Sequence, residues 1–169
     1  MTWLTPMQKS MQLAKSEKVT KEKVMKMPTI EQLEQAEQRY FSKFKELRTI
    51  NVNEHTEKKG KFTYLSWAWA VDQLLLADET ATWSYGQPVL FGETVMVFCT
   101  VHAFGKAMTA QLPVMDYRNK AIPNPDAFAV NTAMQRCLAK AIALHGIGLY
   151  IYAGEDLPTL NESSTKQTN

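Results

Sequence analysis

The stretch "TWSYGQPVLFGETVMVFCTVHAFGKAMTAQLPVMDYR" at residues 82–118 decides the fold class. β-Branched and aromatic residues dominate it, and glycines and a proline interrupt it, which is typical of short strands joined by tight turns. In its last third, apolar side chains alternate with small or polar ones, as expected for a strand with one buried face. We therefore predict three antiparallel strands with two turns: residues 82–90, 94–103 and 107–115, with turns at Phe91-Gly92-Glu93 and Phe104-Gly105-Lys106.

Helical patterns flank this strand region on both sides. After Pro28, apolar residues recur at a spacing of three to four, which predicts an amphipathic helix. Ser66 is a candidate N-cap for a second helix, and this helix is expected to be buried or covered by a partner because apolar side chains cover most of its faces. A third helix is predicted at residues 126–145, and the polar segment 51–60 is predicted to be a loop.

Together these elements predict an α+β fold. A three-stranded antiparallel β-meander is followed by a long helix packed on one face of the sheet, and further helices precede the sheet. Residues 1–27 are rich in Lys, Met, Gln and Ser and are expected to form a flexible basic arm. The polar tail at residues 159–169 is expected to be disordered. The main domain is therefore assigned to residues 28–158.

The composition is that of an ordinary globular domain, with 45% hydrophobic and 21% charged residues. Cys99 and Cys137 are too few for a disulfide framework and lie in apolar runs, so we expect free thiols and a reducing, cytoplasmic setting. No apolar run approaches the roughly 20 residues that span a bilayer, and the N-terminal segment lacks the apolar core of a signal peptide. The net charge is only +2, and basic and acidic residues are balanced over residues 61–154, which argues against coating duplex DNA by bulk positive charge.

The last predicted helix carries two cations and no acid on one half of its surface. Arg136 and Lys140 lie one turn apart there, beside Gln135 and small alanines. One interpretation is that this half contacts the phosphates of a nucleic acid; the other is a solvated face with favourable charges near the helix C-terminus. Further candidates for the same surface are the loop cations Arg118 and Lys120 and the turn cation Lys106.

The end of this helix also has a recognisable pattern. His145 falls on the apolar half and is expected to be a hydrogen-bonded core histidine. Gly146 is placed to end the helix in a left-handed conformation, and Gly148 permits a second change of direction. The segment at residues 149–153, "LYIYA", is predicted to be extended.

Aromatic residues cluster before the sheet and at its start. Trp83 and Tyr85 alternate to one strand face, and both base stacking and packing are open to them. Base stacking is also considered for Tyr64, Trp67 and Trp69, but packing in the core is favoured for Trp67 and Trp69, because an aromatic pair at helical spacing is more often core than ligand site.

Enzyme motifs are absent from the sequence. It contains no glycine-rich phosphate loop, no GxSxG or HExxH motif, and no Cys/His spacing of the zinc-ligand type. A two-metal nuclease site is the enzyme alternative, but its carboxylates match no known spacing: Asp116, Asp126, Glu155 and Asp156. We therefore predict a protein that is not an enzyme and that needs no metal or other cofactor.

Three ordered blocks of the chain resemble the phage single-strand annealing proteins of the Sak and Erf type, which are placed with the eukaryotic Rad-type annealases. The blocks are "INVNEHTEKKGKFTYLSWAWAVDQL" (residues 50–74), "LPVMDYRNKAI" (residues 112–122) and "MQRCLAKAIALHGIGLYIYAGEDLP" (residues 134–158). The resemblance implies a three-stranded sheet followed by a long helix. It also implies assembly into rings or helical filaments and ATP-independent annealing of complementary single strands during phage recombination and repair.

The same resemblance suggests residues and partners. Basic residues on the helix after the sheet and on the adjoining hairpin contact DNA in related proteins, and Lys140 is the best match by position, with Arg136 as its neighbour. Alanines stand at positions 139 and 143, where some relatives are basic. The implied partners are single-stranded DNA, further copies of this chain, and a phage exonuclease or single-strand-binding protein in the host cytoplasm. The alternative functions are a structural or adaptor protein of a phage recombination complex and a metal-dependent nuclease.

Overall fold

The structure, a computed structural model, describes residues 7, 9–11, 27–59 and 62–153. Nearly all of the predicted basic arm and the whole of the predicted tail lie outside these residues, as do Glu155 and Asp156. Contacts divide the chain after Gln35, and every strand belongs to the second unit, residues 36–169. In the first unit, Thr29 and Gln32 exchange side-chain and backbone hydrogen bonds that start the first helix after Pro28 as a capping box.

Residues 27–59 and 62–153 form an α+β fold with three α-helices and six strands, which confirms the predicted class. In chain order the elements are α1 (Ile30–Leu47), a 3₁₀ helix (Asn53–His55), β1 (Thr56–Lys59), β2 (Phe62–Leu65), α2 (Trp67–Ala77), β3 (Thr82–Tyr85), β4 (Val89–Phe91), β5 (Thr94–Ala103), β6 (Lys106–Pro113), α3 (Ala127–Ala143) and a second 3₁₀ helix (Leu149–Tyr152).

The main sheet has four antiparallel strands, so the prediction of three was wrong. β5 lies at its centre, β6 pairs along one edge, and β3 and β4 pair end to end along the other edge. The expected first strand is split because Gly86 and Pro88 lie between β3 and β4, and proline has no N–H to donate to the ladder. The other two strands and both turns were predicted correctly. Phe104 and Gly105 have positive φ in the β5–β6 turn, and Gly92 does in the β4–β5 turn.

The hydrophobic core lies between this sheet and α3. Val97 and Val101 of β5 are buried, as is Leu112 of β6, and they meet Leu138 and Ile142 of α3. Asp126 caps the start of α3, because its carboxylate accepts a hydrogen bond from the Ala129 N–H at 2.8 Å. The long helix on one sheet face, predicted from sequence, is therefore present.

Two predictions about buried polar side chains are confirmed. His145 is fully buried, its Nε2 lies 3.2 Å from the Val101 carbonyl oxygen, and its Nδ1 lies 3.4 Å from the Tyr40 hydroxyl. Burial lowers the pKa of His145. Cys99 and Cys137 are free and buried, and burial raises the pKa of Cys99 to about 12 and that of Cys137 to about 11.

A second layer, formed by β1, β2 and α2, packs on α3 through β2 and α2. β1 pairs antiparallel with β2, so the prediction of a loop over residues 51–60 was wrong at Thr56–Lys59. The residues of β1 are mostly charged and show no alternation of apolar and polar side chains, so the sequence pattern did not predict a strand there. α2 packs on α3 and is capped as predicted, because the Ser66 hydroxyl accepts from the Trp69 N–H. The described helices include none long and apolar enough to cross a bilayer.

The chain turns sharply after α3, at Gly146 (φ 120°) and Gly148 (φ 70°). A Cβ on Gly146 would lie 3.0 Å from the Phe44 carbonyl oxygen, so the backbones of α1 and this turn approach closely. The prediction of an extended segment at residues 149–153 was wrong, because the chain forms a 3₁₀ helix there. The Tyr150 hydroxyl accepts from the Val52 N–H at 3.0 Å and lies 2.9 Å from the Asn53 side-chain oxygen, which ties this turn to the segment before β1.

Candidate nucleic-acid interface

The half of α3 that carries no acid is partly covered rather than open to solvent. Ala139 is 1% exposed and Ala143 is 0% exposed. Tyr64 and Leu65 of β2 border Ala139, together with Tyr152 from the second 3₁₀ helix. The sequence interpretation of a solvated stripe was therefore wrong, and the cations of this half lie at the margin of the second layer.

Arg136 is held in place by its neighbours. Its guanidinium carbon lies 4.3 Å from the centre of the Tyr64 ring, and its Nη2 lies 3.9 Å from the Met115 sulfur. A cation over an aromatic face contributes about 0.5–2 kcal/mol, depending on how far it is desolvated. Within the described residues, no carboxylate forms an ion pair with Arg136. The result is a positioned positive charge with a flat surface.

Arg136 forms part of a cleft of about 470 Å³, which is within the range of small-molecule sites, about 300–1,000 Å³. Four segments of the chain build it: the β1–β2 hairpin, the start of α2, the segment after β6, and α3. The lining residues are Glu57, Tyr64, Leu65, Ser66, Trp67, Met115, Asp116, Tyr117, Thr132, Gln135 and Arg136. Aromatic rings, hydrogen-bonding groups and charges of both signs therefore meet in one place.

A tight turn after β6 carries two of the predicted cations to the side of this cleft. The Asp116 carboxylate accepts from the backbone N–H groups of Arg118 at 2.8 Å and of Lys120 at 3.0 Å. These hydrogen bonds, the one from Lys120 first, hold the pKa of Asp116 below its ordinary value. Both cationic side chains are exposed, and the Arg118 guanidinium lies 5.1 Å from the Tyr117 ring. Arg118 and Lys120 therefore stand next to the cleft wall.

The remaining predicted cations are placed differently from one another. Lys140 lies one helical turn beyond Arg136 and lines a small hollow with Tyr64 and Tyr152. Lys106 lies at the other end of β6, whose eight residues span roughly 25 Å. Its Nζ is 4.2 Å from the centre of the Tyr40 ring. The structure thus brings Gln135, Arg136, Arg118, Lys120 and Lys140 to one region and leaves Lys106 outside it.

Trp83 and Tyr85 also lie apart from the cleft. They pair with Val101 and Cys99 on β5, so their side chains share the sheet face that packs on α3. β3 is on the edge of β5 opposite to β6, whereas the hollow beside Lys140 borders Leu112 of β6. The prediction that Trp83 and Tyr85 contact DNA stays a prediction, now for a separate surface.

Three aromatic residues of the cleft were not among the predicted DNA-binding residues: Tyr64, Trp67 and Tyr117. Trp67 is 42% exposed, so the expectation that it packs in the core was wrong, whereas Trp69 packs against the core and stacks on His55 at 4.3 Å between ring centres. The available signal was the position of Trp67 directly after the N-cap Ser66, where the first helical turn has not yet entered the core.

The carboxylates considered for a nuclease site have structural contacts where the structure describes them. Asp116 holds the turn after β6, and Asp126 caps α3. Residues 27–59 and 62–153 contain no group of three or more His, Cys, Asp or Glu side chains that could hold a metal ion.

Comparison with known proteins identifies the family. A family model described as "Sak Single Strand Annealing Protein" matches residues 42–169, which is more than half of the chain. No curated protein matches the chain. The matched range contains all six strands, the cleft and α3. The chain belongs to the Sak single-strand annealing protein family, which confirms the resemblance found in the sequence and links the chain to single-stranded DNA binding and DNA recombination.

Proposed function

We propose that this member of the Sak family binds single-stranded DNA and anneals complementary strands during phage homologous recombination. It does so without ATP and as an oligomeric ring or filament in the host cytoplasm, and it performs no catalysis. The family match over residues 42–169 carries this proposal. The arrangement of cations beside the cleft supports a location for the DNA backbone.

Four cations form the proposed phosphate path, which we call the rim: Arg118, Lys120, Arg136 and Lys140. None of them forms an ion pair with a carboxylate in the described part of the chain. Lysine and arginine side chains that lack acidic partners are suited to phosphates, because neutralising a phosphate releases condensed counterions and favours binding. Arg118 and Lys120 lie in a turn whose backbone is already fixed by hydrogen bonds to Asp116. The backbone therefore loses little conformational entropy when these residues bind.

In the proposed oligomer, repeated subunits supply the phosphate-binding cations that a single copy has in too small a number. The net charge is +2, and one subunit carries only a short rim. Repetition around a ring or filament places many such rims along one strand, so weak contacts add through multivalency. A phage exonuclease or single-strand-binding protein is the proposed partner. We also propose the division into a basic arm at residues 1–27, an annealing domain at residues 28–158 and a tail at residues 159–169.

The test is annealing of two labelled complementary oligonucleotides at low salt, without ATP, with the mass of the protein measured in the same buffer. We expect the wild type to accelerate annealing and to run as an oligomer. The double variant Arg118→Ala/Lys120→Ala should bind a single strand more weakly and lower the slope of log affinity against log salt by about 0.7 for each phosphate that is no longer neutralised. The matched control is Lys45→Ala/Arg48→Ala, which removes the same charges from exposed positions at the end of α1.

Two results would contradict the proposal. One is wild-type protein that neither retains nor anneals oligonucleotides at low salt, which would favour an adaptor role. The other is magnesium-dependent shortening of the DNA, which would favour a nuclease. If the rim variant and the control bind DNA equally weakly, the proposal that the rim is the phosphate path is wrong, whereas the proposal that the protein anneals strands still stands.

A further inference from the structure

The cleft beside the rim has a chemistry different from that of a phosphate site. The Asp116 carboxylate lines it together with the Arg136 guanidinium. A phosphate placed inside would meet the negative charge of Asp116, which disfavours it at short range. The rim cations Arg118 and Lys120 instead lie on the turn outside the lining. The cleft is therefore suited to a neutral part of the ligand.

Flat surfaces make up much of the lining. Trp67 is 42% exposed and Tyr117 is 70% exposed, so their rings are accessible. The guanidinium of Arg136 is also flat, and Tyr64 supports it on one side at 4.3 Å. Aromatic rings and guanidinium planes are the groups on which proteins stack unpaired bases.

Polar groups in the same cleft match the edge of a base. Gln135 offers both a donor and an acceptor from its amide, and the Thr132 hydroxyl offers both as well. The Asp116 carboxylate is an acceptor, and its two backbone hydrogen bonds both go to Oδ1. A base edge carries both donors and acceptors, which side-chain amides and carboxylates pair with.

We propose that this cleft binds a single unstacked nucleobase of the bound strand, stacked on Trp67 and Tyr117 with its edge toward Gln135 and Asp116. The proposal rests on the proposed function, because it assumes that a single strand follows the rim. It assigns separate places to the two parts of a nucleotide: phosphates lie along Arg118 and Lys120, and one base enters the acid-containing cleft. One base in each subunit is then held out of the stack of its neighbours.

The test uses two oligonucleotides of equal length, one with all its bases and one in which abasic sites replace a run of them, so that the phosphates are the same. Affinity is measured by fluorescence anisotropy for the wild type, Trp67→Ala and Trp67→Phe. The matched control is Phe41→Ala, because Phe41 is an aromatic residue, 56% exposed, on α1, which does not line the cleft.

We expect the wild type to bind the abasic strand more weakly, by about 5-fold to 150-fold for each stacked base that is removed. Trp67→Ala should bind the complete strand more weakly by a factor in this range and should reduce the difference between the two strands. Trp67→Phe should restore most of that difference because it keeps a stacking ring. Phe41→Ala should behave as the wild type.

Failure of this inference differs from failure of the proposed function. If the wild type binds neither strand, the proposed function fails. If the wild type binds both strands with equal affinity, or if Trp67→Ala weakens both by the same factor, DNA binding stands and the base site is refuted. Tyr117→Ala gives a second measurement at an exposed position, so a folding defect in one variant does not decide the outcome. Retention of the full wild-type difference by both alanine variants would also overturn the base site.

Discussion

The contact between Arg136 and Tyr64 predicts that the two cations of α3 contribute differently to stability. From the sequence, Arg136 and Lys140 are equivalent charges one turn apart. In the structure, only the Arg136 guanidinium lies over the Tyr64 ring, at 4.3 Å, although Lys140 borders the same tyrosine in the adjoining hollow. Cation–π contacts contribute about 0.5–1 kcal/mol when exposed and about 2 kcal/mol when desolvated. Because Arg136 is half-buried, we expect a coupling of about 1 kcal/mol, or about fivefold in the folding equilibrium constant.

A double-mutant cycle isolates this coupling. The variants are Arg136→Gln, Tyr64→Leu and both together, and urea unfolding gives the free energy of unfolding of each. The matched cycle replaces Arg136→Gln by Lys140→Gln and should show a coupling near zero, because the effect of removing a helix C-terminal charge cancels within each cycle. Equal couplings in the two cycles, or a coupling for the Arg136 pair below about 0.3 kcal/mol, would refute the assignment of Arg136 as a positioned group.

Three further predictions concern the fold that positions the site. Because burial lowers the pKa of His145, the unfolded chain binds a proton at this residue more readily than the folded chain does. The free energy of unfolding should therefore keep the full contribution of His145 above the unfolded pKa of about 6.5 and should fall as the pH drops below it. Urea unfolding midpoints between pH 7.5 and 5.5 measure this change. Asp78→Ala should reduce the free energy of unfolding by about 1–3 kcal/mol, measured by urea unfolding, because the Asp78 carboxylate accepts from the Phe104 N–H at 2.6 Å in the β5–β6 turn. Gly146→Ala should lower the thermal midpoint far more than Gly92→Ala, because both have positive φ but only Gly146 would place a Cβ against another backbone; equal shifts in the two variants would contradict the close approach to α1.

The central part of the fold could be predicted because its signals are local. Strand β5 was predicted at its observed bounds, since β-branched residues fill it and glycine-containing turns end it on both sides. The N-cap Ser66 was also predicted correctly, because serine directly before a run of helix formers is a local signal. In contrast, β1 was missed because most of its residues are charged, and its strand conformation shows only in its pairing with β2. The 3₁₀ helix at Leu149–Tyr152 depends on hydrogen bonds of Tyr150 to residues almost 100 positions earlier, which no local pattern encodes.

The site was predicted only in part, for a related reason. A helical projection correctly put Gln135, Arg136 and Lys140 on one side of α3, because helix geometry fixes their spacing. The projection did not show that β2 covers the middle of that side and leaves Arg136 under Tyr64. Trp67 and Tyr117 lie 50 residues apart in the chain and line the same cleft only because β2, β6 and α3 fold together. The sequence thus predicted the site residues that share one helix, but it could not predict the aromatic residues that different elements bring to the cleft.

The distribution of charge around the cleft explains how a nearly neutral protein serves in annealing. An annealing protein must hold a strand weakly enough for two strands to exchange register, and it must then release the paired product. A dense cationic surface would oppose both steps, because it would bind single strands and duplex tightly. In the proposed arrangement, Arg118 and Lys120 attract phosphates at the rim, while Asp116, which organises their turn, keeps negative charge inside the cleft. One turn thus attracts the backbone and disfavours its entry into the cleft, which orients the strand with a base inward. On the proposed base site, that base is withdrawn into the duplex when two strands pair and no longer stacks on Trp67, so pairing itself would weaken the binding of the strand to each subunit.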